Sequence, residues 1–178
     1  MRNRYWILIV VVLFCLTLAS RSYFAFQSSQ FDDDKAYFTL RQIENINEDF
    51  VPLFKDDLSY GGREYVFQPF FHYFLAFFNI FLPLMFVAKF IPNLLASSLV
   101  FFAYLIGYEI TDDKRVALFT ALISAFIPIF FSNTINSLSS FSLMLPLMAF
   151  IIYSLIKFEK NHIFAYFLIL SAALISIT

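Results

Sequence analysis

The sequence predicts an all-α fold: a polytopic helical membrane protein with about five transmembrane helices and interfacial helices in a long first outer loop. Three observations carry that prediction. The 178 residues are 61% hydrophobic and only 14% charged, where a soluble domain has about 45–50% apolar and about 25% charged residues. The apolar residues fall into runs close to the length a helix needs, at ~1.5 Å per residue, to cross a ~30 Å hydrocarbon core. The polar joints between runs are short, with one exception that holds nine of the 13 acidic residues. Lys and Arg number 12, so the net charge is −1, which excludes a nucleic-acid footprint. Cys15 is the single cysteine, so neither a disulfide framework nor a cysteine-based zinc site can form.

Taken in order, residues 5–20 follow Arg2 and Arg4 and read as the first span. Their close, Thr17-Leu18-Ala19, is similar to a signal-peptidase site, so a cleaved signal peptide is the alternative. A long loop with juxtamembrane helices is expected over 21–90, then spans at 91–110, 116–132, 141–156 and 163–178. The last run stops in hydrophobic sequence, so 1–178 is expected to be the N-terminal part of a longer transmembrane module. The count turns on residues 66–88. If they cross, Lys114, Arg115, Lys157 and Lys160 fall outside; if they lie on the surface, those four join Arg2 and Arg4 in the cytoplasm. The positive-inside rule favours the second arrangement. Gln68, His72, Ala76 and Asn79 also recur at helical spacing, behind Pro69, in a segment with eight phenylalanines. A membrane-surface helix is therefore expected, with an ordinary span as the alternative. The amino terminus is then cytoplasmic, and the long loop and residues 133–140 lie outside. Asn133 and Asn136 are placed to hydrogen-bond to neighbouring helices.

Within the outer loop, Asp32-Asp33-Asp34 precedes a stretch in which Tyr37, Leu40, Ile43 and Ile46 share one side. This spacing predicts a short amphipathic helix with Asp33 or Asp34 as its N-cap. Capping and solvation are the plain explanations of the aspartates. Three adjacent carboxylates also repel one another, and a divalent cation relieves that repulsion. Downstream, Tyr60-Gly61-Gly62 supplies positive φ for a tight turn. It delivers Arg63 to the interface, either as a two-point phosphate ligand or as a helix anchor. His72 stands on the polar stripe of the surface helix, as a structural group or as a ligand or base.

These residues together resemble the amino-terminal part of the GT-C membrane glycosyltransferases, most of all the archaeal-type catalytic subunit of oligosaccharyltransferase. The likeness rests on Asp34-Lys35-Ala36-Tyr37-Phe38-Thr39-Leu40-Arg41 soon after the first span. It rests also on Gly62-Arg63 followed by Pro69 and His72-Tyr73-Phe74-Leu75-Ala76, and on an alanine-rich run ending at Pro128 before a short outer loop. The resemblance implies transfer of a sugar or oligosaccharide from a polyprenyl-(di)phosphate lipid donor to an acceptor on the outer face. It implies Asp34 and Asp33 as catalytic, Asp34 and Asp32 as ligands of Mg or Mn, and Arg41, Arg63, His72 and Tyr73 as substrate-binding. The implied partners are the lipid-linked sugar donor, membrane lipid, and the rest of the chain or other membrane subunits. The implied location is the cell membrane of a prokaryote. One departure stands out: residues 132–140 contain no carboxylate, so these loops do not complete a two-carboxylate metal site. The alternative is a non-catalytic scaffold or transporter fragment. Glu109 lies at the cytoplasmic end of its span, which leaves the transporter version without a coupling residue.

Overall fold

The computed structural model describes residues 2–56, 62–64, 67–158 and 161–178, with backbone alone at residues 2–4, 56 and 63. Among them the chain is helical: α1 (Arg2–Gln27), α2 (Asp34–Asp49), α3 (Phe70–Asn79), α4 (Leu84–Ser97), α5 (Leu99–Thr111), α6 (Lys114–Ala125), α7 (Pro128–Thr134), α8 (Phe141–Phe158) and α9 (Ile163–Ser176). One two-residue antiparallel ladder joins β1 (Lys55–Asp56) to β2 (Arg63–Glu64), with Lys55 opposite Glu64. Among the described residues, three segments are long and apolar enough to cross a membrane: Tyr5–Gln27, Leu84–Thr111 and Phe141–Phe158. The pair α6 and α7, bent by 44°, makes a fourth if taken as one span. Helix α9 is apolar but has only 14 residues.

The limits of these elements differ from the expected ones for local reasons. Helix α1 continues past residue 20 to Gln27, because Arg21 finds all its partners inside the protein. The stretch 66–88 is not one helix. Helix α3 ends at Asn79, and Pro83, at ψ 139, starts a new one. Ten residues rise ~15 Å, about half the hydrocarbon core, so α3 does not cross by itself. The candidate span that contains residues 91–110 therefore starts earlier than expected, at Leu84. The run 116–132 is split because Pro128 has no N–H for an interior helical bond and sits at the start of α7 instead. Tyr60, Gly61, Val66 and Lys160 lie outside the described residues.

Helix α2 starts as its sequence predicts. Asp33 is the N-cap, and its carboxylate accepts the Lys35 N–H at 3.1 Å. Of the expected apolar side, Ile43 and Ile46 are buried and Leu40 packs against them, joined by Ala36, Thr39 and Gln42, while Tyr37 is exposed and its hydroxyl accepts the Phe31 N–H at 3.3 Å. Gln42 is fully buried because it exchanges hydrogen bonds with both backbone groups of Leu53, at 2.9 and 2.7 Å. Gly62, at φ 67, takes the left-handed conformation expected of the glycine pair.

Two cores hold the molecule. Ile43 and Ile46 of α2 pack with Phe71 and Leu75 of α3, Val87 and Ile91 of α4, and Leu143 of α8. Val10 and Leu13 of α1 pack with Val100 of α5 and Ala121 and Ala125 of α6. Helices α5 and α6 approach so closely that a Cβ on Gly107 would lie 3.0 Å from the Ala117 Cα. The outward faces remain apolar, with Ile7, Phe119 and Ile169 all more than half exposed, which is the surface lipid covers.

Candidate functional site

One end of the bundle gathers the start of α2, the start of α3, the loop between α7 and α8, and the end of α9. Between them lies a cleft of about 560 Å³. Asp33, Lys35, Phe38 and Thr39 form one wall, and Phe67, Gln68, Phe71 and His72 a second. Ser132, Asn133 and residues 137–141 form a third, with Thr178 beside them. Hydroxyls, amides, two charged groups and aromatic faces thus converge on one concave surface, the usual character of a ligand site.

Buried polar contacts hold these walls in place. Arg21, 1% exposed, donates from Nε to the Asn93 Oδ1 at 3.2 Å and from Nη2 to the Thr134 Oγ1. The Phe130 and Phe131 rings lie 5.1 Å from its guanidinium carbon. Asn93 uses its amide to reach the Lys89 carbonyl at 2.7 Å and the Ile135 carbonyl at 3.0 Å. Lys89 is 3% exposed and donates to the carbonyls of Ala25, at 2.8 Å, and Ser28. These bonds join α1, α4 and α7 at one level. Just beyond, the Asn136 amide donates at 2.9 Å to both the Gln30 carbonyl and the Asp32 carboxylate, and the Asp32 N–H returns a bond to the Asn136 carbonyl. The loop is thereby fastened to the acidic segment. Leu138 within it adopts φ 44, uncommon for a residue with a side chain, and stays there with its side chain buried in the core.

The candidate residues separate in space. Asp33 and His72 line the same cleft. Asp34 is exposed on the first turn of α2, and Arg41, half-buried further along, is not among the lining residues. Tyr73 faces away, its hydroxyl donating to the Phe50 carbonyl at 3.1 Å. The Arg63 side chain lies outside the described residues. His72 packs edge-on to Phe67, at 4.9 Å between ring centres, and its Nδ1 is buried with no hydrogen-bond partner among the described residues. Burial pushes the imidazole pKa down to about 4, against a smaller opposing effect of the Gln68 backbone.

A divalent cation finds no ready ligand set here. Among the described residues no three His, Cys, Asp or Glu side chains come together. Asp32 is engaged by Asn136 and Asp33 by the helix cap, so the triad presents separate carboxylates. Lys35, Arg21, Lys89, Asn93 and Thr134 were not legible as parts of this site. Two signals were present: Lys89 interrupts an apolar run, and Asn93 lies in apolar sequence where a polar side chain must bond across helices. No known protein family matches this chain, nor does any curated protein.

Proposed function

We propose that this chain is a multi-pass membrane glycosyltransferase module of the GT-C kind, which moves a sugar from a polyprenyl phosphate or diphosphate to an acceptor on the outer face. The single observation that carries the reading is a polar cleft, with Asp33, Lys35 and His72 on its walls, at the end of a set of apolar helices. The motif likeness around Asp34–Arg41 and Gly62–Ala76 supports it. The amino terminus is then cytoplasmic, and α2 and α3 rest at the outer surface.

The chemistry uses the chain's own groups. The acceptor oxygen bonds to the anomeric carbon, the bond from that carbon to the phosphate oxygen breaks, and the phosphate leaves with the bonding pair. The acceptor's proton passes to a carboxylate. Asp33 suits this role because the helix cap uses only one of its four lone-pair sites. Lys35 on the cleft wall, aided by Arg41 and Arg63, offsets the charge that develops on phosphate. Neutral His72 lines the same cleft and packs beside the sugar without adding charge. The exposed aromatic residues at the far end of α3, Phe77 and Phe81, give the polyprenyl tail an apolar surface. No step is drawn through a cation, because the carboxylates do not form its ligand set.

Asp33→Asn separates charge from structure, since asparagine caps helices about as well as aspartate. In membranes supplied with a polyprenyl-linked sugar, this variant is expected to lower transfer by about a hundredfold or more. Asp34→Asn, one position further out, is expected to cost less. If both variants transfer sugar at the wild-type rate, the reading falls and a non-catalytic scaffold takes its place.

A further inference from the structure

We propose that the groove between α1 and α6, at the end of the bundle opposite the cleft, binds one acyl chain of an anionic phospholipid with Arg115 on its phosphate. The proposal rests on placing the helices in a bilayer and not on glycosyl transfer. The groove has a volume of about 200 Å³ and is lined by Ile9, Leu13, Leu118, Phe119, Leu122 and Arg115. Five of the six are apolar, and Phe119 and Leu122 are open to the outside, at 63% and 45%. In a bilayer the medium on that side is hydrocarbon, so an acyl chain is the natural occupant.

Charge selects the headgroup. Arg115 lies in the first turn of α6, where the groove reaches the end of the bundle, and its side chain is exposed. Asp113 engages the Arg115 backbone N–H at 2.8 Å as the helix N-cap. A guanidinium at the mouth of an apolar slot matches a phosphate carried on a tail, since it can bond two phosphate oxygens at once. Basic sites between membrane helices bind acidic headgroups in this way. The groove on the other side of α1, lined by Ile7, Val10, Val11, Phe101, Tyr104 and Leu105, has no charged residue. It serves as an internal control that accepts acyl chains without regard to headgroup.

The test uses delipidated protein in detergent micelles and native mass spectrometry, with phosphatidylglycerol and phosphatidylcholine of matched chains. The first bound lipid is expected to be phosphatidylglycerol by about fivefold, the worth of one basic residue near an anionic headgroup. Arg115→Gln should remove that preference, and Leu122→Trp, which fills the groove, should remove it too. Inorganic phosphate should not compete, because it lacks the chain. Equal binding of the two lipids by the wild-type protein overturns the proposal. So does a preference that survives either substitution, and displacement of the lipid by inorganic phosphate points instead to a simple anion site.

Discussion

The two ends of the bundle hold their charged side chains differently. At the cleft end, Arg21 and Lys89 are held by amide, hydroxyl and carbonyl oxygens and by aromatic rings. At the other end, Lys157 pairs directly with Glu109 at 2.7 Å, joining α8 to α5. That ion pair links two side chains and leaves the helix-end carbonyls aside. A cation held by neutral acceptors does something more: it binds the carbonyls that a helix leaves open where it ends. Ala25 and Ser28 are such carbonyls, at the end of α1. The irregular segments that wall the cleft are therefore fastened by buried polar bonds, whereas the opposite end relies on regular helical hairpins.

The comparison can be broken most decisively at Asn93. Asn93→Leu leaves the buried Arg21 Nε without its acceptor and releases the Ile135 carbonyl. Leaving a buried donor of a charged group unsatisfied costs about 3 kcal/mol, so the thermal unfolding midpoint in detergent micelles should fall sharply. Adding Arg21→Met should recover much of it, since the stranded charge is then gone. A midpoint unchanged in the single variant would mean that these bonds carry no weight.

A smaller loss is expected at the opposite end. Gly107→Leu drives a side chain into the Ala117 backbone, 3.0 Å from where its Cβ must sit. Overpacking of this kind costs roughly 1–3 kcal/mol. The variant should lower the midpoint while leaving the cleft intact, which glycosyl transfer or ligand binding at the cleft would report.

The gentlest test is pH. His72 ionises near 6.5 in an unfolded chain and near 4 in place. The unfolded state therefore binds the proton first as pH falls. Stability contributed by neutral His72 is complete above about 6.5 and declines as pH drops toward about 4. Near pH 6 the loss is roughly 1 kcal/mol. His72→Phe should flatten the pH dependence of the midpoint over that window, and an unchanged slope would mean that the imidazole is not held neutral by burial.

Much of the architecture could be read from local sequence. The apolar runs became helices, Asp33 became the N-cap of α2, and Gly62 took its left-handed turn. Where the reading fell short, it treated polarity as a sign of solvent. Arg21 and the aspartate triad looked like one hydrophilic loop, yet Arg21 is buried in α1 while Asp34 is exposed on α2. The buried side of α2 keeps Leu40, Ile43 and Ile46 but turns Tyr37 outward. Thr39 and Gln42 face inward because the chain after Phe50 folds back and meets the Gln42 amide at Leu53.

The sequence by itself determined that this is a helical chain with apolar faces suited to lipid, and where most helices begin. Those properties depend on residues within a turn or two of each other. Tertiary structure alone decided which polar groups are buried and which of them meet. Arg21 joins partners 72 and 113 positions away, and Asn136 reaches back 104 positions to Asp32. A buried polar group is tolerated only when its hydrogen bonds are made. The acceptors that make burial possible become neighbours only when the helices assemble.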